Sequence, residues 1–284
     1  MNTKQTKGLK RNTIDKYYTK SDVVDTCLSI VTKHISIDPS DLIIEPSAGN
    51  GAFIGGIKGL STNHIFYDLE PENAEIIKQD YLELDYSKFT TINGINGNNN
   101  NNNKIHIIGN PPFGRQSSLA IKFIKKSCEF CNSVSFILPK SFKKDRMKNK
   151  FPLEFHLVFE EDLPDKSFLV DGAEHTVPCI FQIWEKKSYH RTAVEKLEPT
   201  GFVFVDKNDN PDISFRRVGV NAGTIDTNIE SKSVQSHYFI KLTNGKSVNE
   251  NIQLLSKITY GFNNTVGPKS ISKPELIKEF IKVL

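Results

Sequence analysis

Between Ser21 and Leu138 the chain alternates short, continuous apolar runs with segments whose apolar residues recur every three or four positions, and this alternation restricts the architectures open to it. Ser21 is placed to cap a helix to about His34, since Val23, Val24, Cys27, Leu28, Ile30 and Val31 recur at helical spacing. Leu42 to Glu45 then reads as a buried strand that stops at Pro46, Gly49 and Gly51 before another helix. A strand over His64 to Leu69 and a helix from about Glu72 to Gln79 follow. A strand over Lys104 to Ile108, a helix from Ser117 to Cys131 and a strand over Val134 to Leu138 continue the series. Strand and helix in alternation predict an α/β fold, with a parallel sheet covered by helices on both faces. Phe155 to Glu160 and Val177 to Glu185 are β-rich stretches that close the sheet.

After Tyr189 the pattern changes. Short β runs at Gly201 to Asp206, Ile213 to Val218 and His237 to Leu242 precede helical patterns at Val248 to Ile258 and Pro274 to Val283, a small α+β appendage. The expected organisation is therefore a basic arm over 1–20, a principal domain over 21–190 and an accessory or substrate-recognition region over 191–284. Residues 93–103 are almost all Asn and Gly, too polar to offset the entropy of ordering, and predict a flexible loop insertion. A chain of 284 residues with 37% hydrophobic content is long enough to bury a sizeable core, and its net charge of +4 is too small to mark it by itself as a nucleic-acid coat. The arm carries lysines without an apolar run and no later segment has spanning length, so neither a signal peptide nor a membrane partner is expected. Four scattered cysteines predict free thiols in a reducing compartment, cytoplasm or nucleus.

The loop after the first strand, Glu45-Pro46-Ser47-Ala48-Gly49-Asn50-Gly51-Ala52-Phe53, has the composition of a ligand cradle. In an open parallel sheet, ligands bind at the carboxyl ends of the strands where strand order reverses. Gly49 and Gly51 let the backbone approach a ligand closely. The carboxylate of Glu45 repels a pyrophosphate and attracts a ligand with a cationic sulfonium and an α-amino group. S-adenosylmethionine is thus favoured over a dinucleotide. Asp68, with Glu70 as the fallback, lies about 20 positions on, the spacing at which a βαβ unit sets a carboxylate on ribose hydroxyls. Asp80 and Tyr81 are candidates to accept from an adenine amino group and to stack on the ring.

Downstream, a buried strand runs into Gly109-Asn110-Pro111-Pro112-Phe113. Pro111 lacks an amide hydrogen and restricts Asn110 to extended geometry, so this corner presents the Asn110 side-chain oxygen and the Pro111 carbonyl as acceptors with no competing donor. Two acceptors suit an exocyclic amine whose lone pair is delocalised into a ring: they draw the nitrogen towards tetrahedral geometry and aim the lone pair at a methyl group. Carbonyl oxygens are too weakly basic to take the proton first, so it leaves during or after transfer. Phe113 supplies a stacking face for a base, worth about 1–3 kcal/mol.

The order Tyr17-Tyr18-Thr19-Lys20, Glu45 to Phe53, Asp68 and Asn110-Pro111-Pro112-Phe113 resembles the gamma-class adenine-N6 DNA methyltransferases, over about Tyr17 to Glu185. The resemblance implies a Rossmann-like seven-stranded fold, S-adenosylmethionine as methyl donor, and adenine in nucleic acid, DNA before RNA, as acceptor. It also implies Tyr18 and Thr19 at the methionine end of the cofactor and Phe53 close to it. Ser135 to Lys140 looks like the strand beside the target pocket, and Phe168 is a candidate second aromatic face. The region from about Arg191 is smaller than the recognition domain of many restriction-modification members of that family.

Weaker signals surround this core. Lys140, Lys143, Lys144, Arg146, Lys148 and Lys150 crowd one stretch, and Arg115 follows the tetrapeptide directly; these are candidate phosphate or base contacts. Arg216-Arg217 is a further candidate. Cys128 and Cys131 have no second pair at zinc spacing, so no metal is expected. RNA adenosine, a protein glutamine and a non-catalytic nucleic-acid-binding subunit stay open as alternatives, as does a protein partner that assists target recognition.

Overall fold

The computed structural model describes residues 16–87, 89, 103–193, 196–260 and 269–284. The first fifteen residues of the basic arm and nearly all of the Asn-rich insertion lie outside them. Contacts divide the chain into two units, one of 1–139 with 150–191 and a second of 140–149 with 192–284.

The first unit is built on strands β1 (Tyr18–Thr19), β2 (Leu42–Glu45), β3 (Asn63–Asp68), β4 (Ile77–Lys78), β5 (Ile105–Gly109), β6 (Ser133–Pro139), β7 (Phe155–Asp162), β8 (Phe168–Val170), β9 (Ala173–His175) and β10 (Cys179–Lys186), and on helices α1 (Ser21–His34), α2 (Ile54–Leu60) and α3 (Ser118–Cys128). Seven strands form one sheet in the order β4-β3-β2-β5-β6-β10-β7. The pairs from β4 through to β6 are parallel, and β10 runs antiparallel to both of its neighbours. This is a Rossmann-like α/β fold. Every residue of β2, β5 and β6 is buried, as central strands covered on both faces require. α1 packs Val23, Val24, Cys27, Leu28 and Val31 into a core shared with Ile43, Phe53, Ile57, Ile108, Ile137 and Phe181. Within the sheet, His106 is satisfied on both ring nitrogens: it meets Ser133 Oγ at 2.7 Å on Nδ1 and Asp41 Oδ2 at 3.2 Å on Nε2.

Chain order sets the site. From β2 the chain moves outward to β3 and β4, then returns to start β5 on the other side of β2. Strand order reverses between β2 and β5, and the carboxyl ends of these two strands, Glu45 and Gly109, open into the crevice where such sheets bind ligands. A separate three-stranded antiparallel sheet, β1-β8-β9, carries the residues just ahead of α1.

Three local expectations are corrected. Ser21 is the first helical residue of α1 rather than its cap; Lys20 occupies the cap position in extended geometry. No helix forms over Glu72 to Gln79. There the Asn73 side chain accepts from the Glu75 amide at 2.9 Å, and Ile77–Lys78 pairs with Tyr67–Asp68, so a side-chain turn and a ladder take the backbone groups a helix needs. The principal domain is not continuous, because Lys140–Asn149 groups with the carboxy-terminal residues: Lys144 Nζ bonds the Ser270 carbonyl and Glu275 Oε2, each at 3.0 Å.

The second unit holds the four-stranded antiparallel sheet β11-β14-β12-β13, formed by β11 (Phe202–Val205), β12 (Ile213–Arg216), β13 (Ile225–Asp226) and β14 (His237–Leu242). Helices α4 (Asp145–Lys148), α5 (Val248–Leu255) and α6 (Lys273–Phe280) accompany it. Phe202, Phe215, Ile240, Leu276 and Phe280 form its core. Both α5 and α6 begin with a capping box, Ser247 with Glu250 and Ser272 with Glu275.

Candidate functional site

A cavity of about 360 Å³ opens at the β2/β5 switch and is lined from five segments: residues 16–19 leading into β1, the loop 45–53, the ends of β3 and β4 with the turn after them, the corner 110–113, and Leu119 and Phe123 of α3. All twelve cofactor candidates except Gly51 line it, and so do the four residues of the Asn-Pro-Pro-Phe corner.

The glycine loop is shaped by backbone geometry. Gly49 and Gly51 have φ of +54° and +88°, conformations that L side chains rarely adopt, and a Cβ on Gly51 would lie 2.7 Å from Ile54 Cδ1. Asp68 holds this loop: its Oδ2 accepts from the Gly49 amide at 2.8 Å and its Oδ1 from the Glu70 amide at 2.8 Å. The carboxylate expected to meet a ribose is therefore also the clamp that joins β3 to the cradle. Ser47 Oγ donates to the Asn110 carbonyl at 3.1 Å and ties the cradle to the corner.

Glu45, at the end of β2, is 2% exposed, and its Oε2 is buried without a hydrogen-bond partner among the described residues. Burial, and then the neighbouring Asp68 charge, push this carboxyl up to about 8. Asp68, Glu70, Glu72 and Asp80 line the same cavity, against the single cation of Lys16. Such a wall disfavours phosphate and favours a cationic or hydroxyl-bearing ligand. Across the opening, Glu72 Oε1 accepts from Tyr18 Oη at 2.5 Å and from Lys16 Nζ at 2.8 Å. These two bonds, Lys16 first, hold the Glu72 carboxyl below its ordinary value, while burial and the same carboxylate push the Tyr18 phenol up to about 12.

The corner orients one acceptor. Asn110 Nδ2 donates to the Tyr17 carbonyl at 3.1 Å and to Thr19 Oγ1 at 3.3 Å. A carbonyl only accepts, so the amide nitrogen must face it and Oδ1 must face the other way. Asn110 Oδ1 is buried with no hydrogen-bond partner among the described residues. A buried acceptor left without a donor costs about 1–3 kcal/mol, and a ligand N–H removes that cost. Gly109 permits this packing, since a Cβ there would lie 3.2 Å from Glu45 Cγ. Four buried side-chain oxygens among the described residues have no hydrogen-bond partner, and two of them, Glu45 Oε2 and Asn110 Oδ1, belong to residues lining this cavity, whereas Ser135 and Tyr260 do not line it.

Other candidates fall elsewhere. Phe168 is fully buried in β8 and is not among the lining residues, so it does not offer a face to a base. Pairing of β8 with β1 turns it into the core, edge-on to Tyr17. Tyr81 lines the cavity, but its ring is buried and stacked on Phe123 at 5.4 Å, and its hydroxyl lies 2.9 Å from Ser127 Oγ; it packs as core and does not offer that face for stacking. Asp80 is exposed and caps the turn Tyr81–Glu83 through the Leu82 amide. Arg115 is exposed just past the corner, and Lys140 belongs to the second unit. The lysine-rich stretch and Arg216-Arg217 likewise belong largely to that unit. Among the described residues no cluster of His, Cys, Asp or Glu could hold a metal ion, and no helix is long and apolar enough to cross a membrane. The sequence reading missed how Tyr17 serves the site, because it acts on Asn110 through a backbone carbonyl that any residue carries.

No family model and no curated protein matches the chain. Solved structures do. A putative RNA methyltransferase from Pyrococcus horikoshii is 14% identical, with a TM-score of 0.41 over 63% of this chain and 92% of that one. A putative class I S-adenosylmethionine-dependent methyltransferase from Listeria monocytogenes is 13% identical, with a TM-score of 0.42 over 63% and 64%. A dimethyladenosine transferase from Plasmodium falciparum is 13% identical, with a TM-score of 0.40 over 60% and 63%. These likenesses are of fold.

Proposed function

We propose that the chain is an S-adenosylmethionine-dependent methyltransferase that acts on the exocyclic N6 amino group of adenine in nucleic acid, with DNA the favoured substrate. The observation that carries this reading is the buried, partnerless Asn110 Oδ1, fixed in orientation by the Tyr17 carbonyl and lining the same cavity as the glycine cradle. The gamma-class resemblance of the two motifs supports the choice of acceptor.

The cavity fits the donor chemically. Asp68, Glu70, Glu72 and Asp80 favour a sulfonium and an ammonium over phosphates, a cation bound beside Glu45 would draw its carboxyl to the charged form, and Gly49 and Gly51 allow the backbone to approach a ligand closely. Tyr18, Thr19, Pro46, Ser47, Ala48 and Phe53 would complete the enclosure, with Asp68 and Glu70 available to ribose hydroxyls. When bound, the donor supplies an electrophilic methyl carbon. Asn110 Oδ1 and the Pro111 carbonyl accept the two hydrogens of the incoming amine and so direct its lone pair at that carbon. Transfer would leave a methylated, briefly cationic nitrogen beside the donor's neutral thioether, and since the two carbonyl oxygens are too weakly basic to keep a proton, the nitrogen would release it to solvent. Phe113 stacks on the base. Pro112 keeps the corner without an amide hydrogen at that position.

The test is a labelled-methyl assay across double-stranded DNA, single-stranded DNA, RNA and glutamine-containing peptides, with the modified nucleoside identified. N6-methyladenine in DNA is the expected product. Labelled RNA alone would move the acceptor to RNA, labelled glutamine would replace it, and no binding of S-adenosylmethionine in titration would favour a non-catalytic scaffold.

A further inference from the structure

Tyr17 is an aromatic residue joined to the corner through its backbone. Its carbonyl receives the Asn110 amide at 3.1 Å, and Tyr17 lines the cavity together with Asn110 and Phe113. Two neighbours fix its partly buried ring: Phe168 meets it edge-on at 6.1 Å, and the exposed His175 of β9 stacks at 5.6 Å with an interplanar angle of 30°. β1 and β8 hold this arrangement through Tyr18 against Leu169 and Thr19 against Phe168, and the Lys20 amide adds a bond to the Ser167 carbonyl at 3.1 Å. A ring pinned on two sides loses little freedom when a planar ligand packs on it, which makes it an efficient stacking surface.

We infer that Tyr17, backed by His175, is an aromatic wall of the acceptor site and selects a flat heteroaromatic base over an aliphatic amide. The inference rests on the methyltransferase reading and deepens it. Phe113 and Tyr17 give the acceptor site two aromatic rings from different segments. A glutamine side chain offers an amide to Asn110 but no ring for either, whereas adenine offers both. Tyr17 takes the part that the sequence assigned to Phe168, which stands behind it.

The experiment measures binding, so it does not depend on turnover. Two pools of single-stranded oligonucleotides with randomised flanks carry either adenine or an abasic site at the central position, and their affinities for the full chain are compared in the presence of S-adenosylhomocysteine. The wild type is expected to prefer the adenine pool. Tyr17→Leu is expected to reduce that preference by about 5- to 150-fold, the range for loss of one stacked ring. Tyr17→Phe should keep it, and His175→Ala should reduce it less than Tyr17→Leu does. Affinity of Tyr17→Leu for S-adenosylhomocysteine within two-fold of wild type serves as the check on folding and on the separate cofactor side. An equal preference in Tyr17→Leu and wild type overturns the inference, as does no preference in wild type, or a loss of cofactor affinity as large as the loss of base preference. If wild type prefers adenine but transfers no methyl group, the acceptor wall stands and the catalytic reading falls.

Discussion

Replacing Glu45 by glutamine removes one ionisable group from the wall of the cavity while keeping its shape, and the pH dependence of folding isolates what that group does. The carboxyl titrates near 8 in the folded chain, against an ordinary value of 4.5. Between those limits the folded chain holds a proton that the unfolded chain has lost. Its stabilising contribution is thus complete below about 4.5 and is lost as the pH rises through 8. The slope is at most about 1.4 kcal/mol per pH unit, which gives a ceiling of about 5 kcal/mol over the window. Water entry and relaxation around a buried charge reduce this, so a change of roughly 2–4 kcal/mol is expected. Glutamine carries its own constant cost for an unpaired amide, and the informative quantity is therefore the change with pH in the wild-type-minus-variant difference. The single tryptophan, Trp184, is 2% exposed and stacked on Phe151 at 4.1 Å, so its fluorescence follows melting of the first unit. From pH 5 to pH 8.5 the wild type should lose about 5–15 °C relative to Glu45→Gln. Saturating S-adenosylmethionine should narrow the gap, because a cation beside the carboxyl favours its charged form. A difference that stays flat from pH 5 to pH 8.5 would refute a partnerless buried carboxyl at this position.

Three other substitutions separate the parts of the site. Asn110→Ala should lower kcat by about 10²–10³-fold or more while the dissociation constant for S-adenosylmethionine stays near wild type, as read by single-turnover kinetics beside calorimetric titration; equal losses in both would place Asn110 on the cofactor side. Asp68→Ala releases the Gly49 and Glu70 amides and should weaken cofactor binding by about 10- to 100-fold, the worth of a charge-assisted hydrogen bond, with a smaller effect on the chemical step. Gly51→Ala forces a side chain into positive φ against Ile54 and should destabilise the first unit by about 1–3 kcal/mol in denaturant melts followed at Trp184; unchanged stability would mean that the cradle relaxes freely.

What the sequence made legible divides along a physical line. β2, β5 and β6 were readable because strands buried on both faces need continuous apolar runs, and Leu42–Glu45, Ile105–Gly109 and Ser133–Pro139 supply them with few polar interruptions, Glu45, His106, Ser133 and Ser135. The cradle was readable for a related reason: Gly49 and Gly51 sit at φ values that restrict residue type, so conformation leaves a mark on the sequence. The segment 72–79 misled because a polar turn at Asn73 and a two-residue ladder leave only a weak pattern. Phe168 misled because an aromatic residue fits a core and a pocket equally well, and only its pairing partner, Thr19, decides which way it faces. Tyr17 was hidden for the opposite reason. Its bond to Asn110 uses a main-chain oxygen, and a backbone contact places no constraint on residue type at the position that makes it. A corner such as Asn110-Pro111-Pro112-Phe113 is therefore half written in side chains and half in the path of another strand. Only when β1 is laid against β8 does the Asn110 amide nitrogen acquire the acceptor that fixes which way the side chain is turned and leaves Oδ1 without a protein donor, which is why the chemistry could be named from the tetrapeptide but its orientation could not.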